Sequence, residues 1–150
     1  MTKNKTQGGT IAINGQYIKD LSFENPKAPQ IFIEKDVTPK IDVSIDINAT
    51  KLQKEVFEVE LSINAKAKSG EDTIFIAELI YAGIFTIKDI KETLIEEVLF
   101  IQCPTLIFPF ARRIVSDTTR DAGFPPLMLN PINFEVMYKN RKDKIKRDRK

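Results

Sequence analysis

The chain has 150 residues, 42% of them hydrophobic and 29% charged, with a formal net charge of +2. That is one domain with enough apolar material for a true core, and it is not a disordered chain. It contains no His, no Trp and a single Cys, which excludes Ser-His-Asp and Cys-His catalysis in their usual form, a His-ligated zinc, a Cys-rich metal site and an intrachain disulfide.

Residues 1–9, MTKNKTQGG, read as a disordered lead without the apolar stretch of a secretory signal. Residues 10–18 form a short strand interrupted at Asn14-Gly15. An ordered loop follows, because Pro26 and Pro29 favour extended backbone while Leu21, Phe23, Ile31 and Phe32 supply side chains to dock it. Residues 41–47 alternate strictly, with Ile41, Val43, Ile45 and Ile47 on one face of a half-buried strand. Residues 57–67 repeat the pattern from Phe57 to Ala67, Ser69 to Asp72 make a turn, and 73–81 return with apolar residues on both faces. Ala82-Gly83 is expected to break that strand.

Beyond Lys88 the period becomes helical through Ile90, Leu94, Val98 and Ile101, until Cys103-Pro104 interrupts it. Thr105 to Thr119 reads as a second helix, kinked at Pro109, with Ala111, Ile114, Val115 and Thr118 on one face. Gly123 and Pro125-Pro126 stop it. A last helix starts at Asn130-Pro131 or Asn133, with Phe134, Met137 and Tyr138 inward. No apolar run reaches the length of about eighteen residues that a membrane span requires, and none is expected.

Lys139 to Lys150 hold eight Lys or Arg and two Asp. Removing them from the 23 basic and 21 acidic residues leaves 15 and 19, so an acidic body of −4 carries a +6 tail. Such a tail suits RNA, anionic lipid or an acidic protein surface, or is simply a solvated terminus. It has no Trp or Phe to stack a base, which argues against nucleic acid. Strands first and helices last make an α+β fold with an antiparallel sheet.

Catalytic chemistry finds no support. Asp42 and Asp46 share a strand face about 13 Å apart, and Glu58 and Glu60, about 7 Å apart, belong to a solvated face. Cys103 lies among apolar residues that would keep its thiol inert, and Arg112-Arg113 have Asp117 and Asp121 as ion partners. The conspicuous inventory is aromatic: ten Phe and three Tyr. Tyr17, Phe23, Phe32, Phe85, Phe108, Phe110 and Phe124 fall in loops or beside breakers, where they either plug the core or line an apolar groove.

Four blocks resemble the signature of the SecB protein-export chaperone family. They are Tyr17 to Pro29 (YIKDLSFENPKAP), Gly83-Ile84-Phe85, Cys103 to Arg112 (CPTLIFPFAR), and Gly123 to Leu127 leading to Leu129-Asn130-Pro131-Ile132-Asn133-Phe134. They fall in order between residues 10 and 138, the expected chaperone domain, which leaves 139–150 as a basic tail or helix extension.

The resemblance implies a four-stranded antiparallel sheet with C-terminal helices, assembled as a homotetramer, a dimer of dimers. It implies a cytoplasmic, ATP-independent holdase with no cofactor, no metal and no enzymatic activity. Its partners would be unfolded precursor proteins, held in apolar grooves, and the SecA motor ATPase, which would bring it transiently near the translocase and the membrane. The motor contact carried over by motif is Asp20, Glu24, Ile76 and Glu78. Phe23, Phe32, Phe85 and Phe124 are the expected groove aromatics. The basic tail departs from the acidic or Gln-rich ends typical of the family.

Overall fold

A computed structural model describes residues 3–6, 8–34 and 36–148. Five strands form one fully antiparallel sheet in the order β1-β2-β5-β4-β3: β1 Lys3–Thr6, β2 Gly9–Glu24, β3 Lys40–Gln53, β4 Val56–Ser69 and β5 Asp72–Lys88. The four long strands and the helices after them match the expected architecture. The short β1 corrects the expectation of a disordered lead: Lys3 to Thr6 pair with Ala12 to Gly9. Backbone pairing to a stable neighbour needs no apolar pattern of its own, so composition carried no sign of it. Residues 1, 2 and 7 of that lead lie outside the described residues.

Cross-strand register sorts the side chains into two faces. On the inner face Phe57, Leu61, Ile63 and Ala65 of β4 stand opposite Phe85, Tyr81, Leu79 and Ala77 of β5, and all eight are buried. Period-two alternation foresaw this for β4. The outer face carries Glu58, Glu60, Ser62, Asn64 and Lys66 opposite Ile84, Ala82, Ile80, Glu78 and Ile76.

Strand β5 does not break at Ala82-Gly83 but runs on to Lys88. Gly83 is there for close approach: a Cβ on it would sit 2.8 Å from the Phe85 ring and 3.3 Å from Ile107 on the crossing helix. Nor does Cys103-Pro104 interrupt the helix. α1 (Glu92–Glu97) passes through a π turn at Val98–Gln102 directly into α2 (Cys103–Asp121). The wider turn absorbs the register where Pro104 has no N–H to give, and the Thr105 hydroxyl donates to the carbonyl of Ile101. This apolar helix lays Ile107, Ala111, Val115 and Thr119 against the sheet, all buried. Thr119 rather than Thr118 continues the inward stripe, in step with Ala111 and Val115 at intervals of four.

At the C-terminus of α2 the amides of Ala122, Gly123 and Phe124 donate to the carbonyls of Thr118, Arg120 and Thr119, with Gly123 at φ +100. Thr119 accepts from the amide of Leu127 at 2.8 Å, which ties the Pro-rich segment back to the helix. α3 (Phe134–Asp148) starts under an Asn133 cap whose side chain accepts from the Val136 amide at 3.1 Å. Most of the basic tail is thus helical. Arg141 lies 4.5 Å over the Phe100 ring and donates to the Ile47 carbonyl of the edge strand β3 at 3.3 Å.

Candidate functional site: an aromatic cleft and an acidic outer face

Two features stand out, one on each side of the sheet. The first is a cavity of about 330 Å³ where the 25–39 segment, the start of β5 and the end of α2 converge. Its walls include Ile31, Phe32, Val37, Ile74, Phe75 and Phe124. Phe124 is the hub, with its ring centroid 4.9 Å from Phe75, 5.2 Å from Phe32 and 6.4 Å from Phe23. Phe23 in turn stacks on Phe75 at 5.4 Å. The segment is anchored by Asn25, whose amide donates to the Ala122 carbonyl at 3.1 Å. Phe32 stays 49% exposed, so a large apolar surface faces solvent at the mouth. The cleft offers apolar area and aromatic walls, with the carboxylates of Glu34 and Asp36 also in its lining.

Of the four expected groove aromatics, Phe23, Phe32 and Phe124 meet in this cluster and Phe85 does not. Phe85 is fully buried in the main core, opposite Ile13 and Phe57. Its expected place beside a strand break rested on Gly83, and the strand continues. Tyr17, Phe108 and Phe110 likewise belong to regular elements. Phe75 is the member that sequence reasoning passed over. A register shift between Ala67 and Lys68 leaves Ile74 without an opposite number on β4, and Ile74 and Phe75 are both buried in the small second cluster behind the cleft. The apolar character of both faces of 73–81 was the available signal.

The second feature is the outer face. Glu24 pairs with Ile76, Ser22 with Glu78 and Asp20 with Ile80, so Asp20, Glu24, Ile76 and Glu78 share one patch. Asp20, Glu24 and Glu78 are exposed and Ile76 half-buried. Next to the patch sits a network that the sequence reading missed. Lys19 Nζ lies 3.0 Å from Glu58 and 2.8 Å from Glu60, and the Tyr17 hydroxyl donates to Glu58. The Glu58 and Glu60 side chains are only 12% and 17% exposed, so they are not the freely solvated pair expected. The Tyr17 hydrogen bond, with Lys19 adding to it, holds the Glu58 carboxyl below its ordinary range. Burial and then the Glu58 partner push the Tyr17 hydroxyl up to about 12. The hydrogen bonds to Glu60 and Glu58 raise the Lys19 ammonium.

On α2, Asp117 pairs with Arg113 and Arg120, each at 3.5 Å, along the exposed helix surface. Cys103 is fully buried, and desolvation pushes its thiol well above the ordinary range. Among the described residues no group of three or more His, Cys, Asp or Glu is placed to hold a metal ion.

The family model described as "Preprotein translocase subunit SecB" matches residues 3–145. A protein-export protein SecB from Maricaulis maris is 49% identical over 133 residues, covering 89% of this chain and 77% of the relative. Another from Rickettsia akari is 50% identical over 129 residues, covering 85% of each. Among solved structures, a SecB-like chaperone of Mycobacterium tuberculosis, in complex with a ChAD peptide from the HigA1 antitoxin, superposes with a TM-score of 0.67. That structure shares 16% identity, with 81% of this chain and 90% of that one covered, and it speaks for the fold.

Proposed function

The chain belongs to the SecB family of non-catalytic protein-export chaperones, and from that premise we propose that it is an ATP-independent holdase that grips unfolded precursors in apolar clefts and hands them to the SecA motor ATPase. The observation that carries the reading is the Phe23–Phe32–Phe75–Phe124 cluster around an open cavity of about 330 Å³. Burial of apolar surface is non-directional and worth roughly 25 cal/mol per Å², so such a cleft holds many unrelated segments by many weak contacts. It needs no cofactor.

The working unit is a cytoplasmic homotetramer, a dimer of dimers. Ile18, Leu21 and Phe110 are exposed apolar side chains on β2 and α2 that subunit contact would cover. Several clefts in one assembly grip one long client with the avidity that linked sites give. The motor contact is the outer patch of Asp20, Glu24, Ile76 and Glu78, whose acidic rim steers a basic partner surface. Membrane and translocase proximity then follow from SecA.

The test is the refolding of a slow-folding precursor without nucleotide. The protein at near-stoichiometric tetramer should delay refolding, and native mass should show tetramer, tetramer with client, and that complex with SecA. Unchanged refolding and aggregation would remove the holdase reading.

A further inference from the structure

Strict alternation along β2 would put Asp20 on the same face as Ile18, the inner one, and would turn Leu21 and Phe23 outward. The register says otherwise. Ile18 stands opposite Tyr81 and Asp20 opposite the very next residue of β5, Ile80. Lys19 is therefore an extra residue, a β-bulge that reverses the phase of everything after it. Downstream of it Leu21 and Phe23 pair with Leu79 and Ala77 on the inner face, while Asp20, Ser22 and Glu24 join Ile80, Glu78 and Ile76 outside.

Something must hold the bulge at residue 19 rather than one position away. The Lys19 ammonium supplies it, reaching over β5 to Glu58 and Glu60 on β4 at 3.0 and 2.8 Å. The path crosses Ala82, which pairs with both Tyr17 and Glu60 and has only a methyl to put in the way. Tyr17, two residues before the bulge, donates to the same Glu58. The side chains on both flanks of Ile18 are thus fastened to β4, and a one-residue slip would break both attachments.

We propose that Lys19 is a positioning residue for the outer acidic face: clamped by Glu58 and Glu60, it fixes the bulge that presents Asp20 and Glu24 outward and Phe23 inward to the aromatic cluster. The inference rests on the motor-contact reading given above. Its sign makes it testable. Lys19 is a cation beside an acidic patch, so through charge alone Lys19→Met would tighten binding of a basic partner surface. Positioning requires the opposite.

The experiment measures SecA binding by calorimetry at fixed ionic strength, and amide hydrogen exchange along β2 in the free full-length protein. Lys19→Met should weaken SecA binding about tenfold, the equivalent of one charge-assisted hydrogen bond, and speed exchange at residues 20–24. Lys19→Arg should restore both. Glu60→Gln, which keeps the Glu58 contact, should show the same exchange change to a smaller extent should Lys19→Met fold poorly. Unchanged or tighter SecA binding with unchanged exchange in Lys19→Met would overturn the proposal. Asp20→Asn and Glu24→Gln separate the two readings. If these leave SecA binding intact, the motor-contact reading fails, while exchange at 20–24 still decides the role of Lys19 in the strand.

Discussion

The ring of Phe32 stands in the space that a side chain on Gly123 would need: its Cε1 and Cζ lie 2.8 Å from where that Cβ would be. The stop of α2 and the mouth of the aromatic cleft are therefore one contact. Gly123→Ala should act twice. At φ +100 an L side chain is strained, which costs about 1 kcal/mol or more, and the new methyl must push Phe32 off its seat. We expect a lower thermal midpoint and weaker client capture from this one change. A lowered midpoint with capture unaltered would show that Phe32 does not shape the cleft.

Cleft and core can be told apart by two Phe-to-Ala substitutions. Phe85 is sealed in the main core, so Phe85→Ala should cost about 3–5 kcal/mol and be seen first in denaturant unfolding. Phe124 is half-buried at the hub of the cleft. Phe124→Ala should leave a folded protein, cost less stability, and release clients faster in the refolding-delay assay. Equal stability losses with no difference in client retention would contradict this division.

Alternation made β4 and the middle of β5, from Phe75 to Tyr81, legible residue by residue, because a sheet with one covered face writes its burial into every second position. The bulges were not legible. Nothing in the run Ile18-Lys19-Asp20 marks which residue is the extra one; that is decided by Glu58 and Glu60 two strands away. Gly83 and Pro104 misled for a related reason. Each carries a local breaking tendency, and each is tolerated because Ile107 needs the space over Gly83 and a π turn precedes Pro104. The cleft was legible in part: Phe23, Phe32 and Phe124, expected as groove aromatics, meet in one cluster, and alternation puts Phe75 on the inner face with Ala77 and Leu79, while the burial of Ile74 beside it comes from a register shift that no local pattern announces.

Cys103 offers a probe of global opening. Its thiol is fully buried and pushed well above the ordinary range by desolvation. A thiol reagent near pH 8 should leave the native protein unmodified and react fully once denaturant is added. The thiol ionises near 8.5 in an unfolded chain but not in the fold. Stability from this group is therefore whole below that pH and declines above it. Prompt stoichiometric modification of the native protein would show a breathing motion at the π turn.

The outer network sets a dependence on the acid side. The fold holds Glu58 below its ordinary value of 4.5, first through the Tyr17 hydrogen bond and then through Lys19. A carboxyl depressed in the folded state contributes stability that is complete above the unfolded value and is lost as pH falls through the folded one. Glu58→Gln should therefore be less stable than the parent at pH 7, and the gap should close as pH drops below about 4. Solvent reaches Lys19, whose side chain is 44% exposed, so the gap at neutral pH should be about 1 kcal/mol rather than several. Urea unfolding of both proteins at pH 7, 5 and 3 reads the gap directly. High salt should shrink only the part due to Lys19, because the Tyr17 hydrogen bond is short-ranged. A gap that stays constant from pH 7 to 3 would mean that the loss came from packing rather than from the charge, and the clamp on the β2 bulge would have to be sought elsewhere.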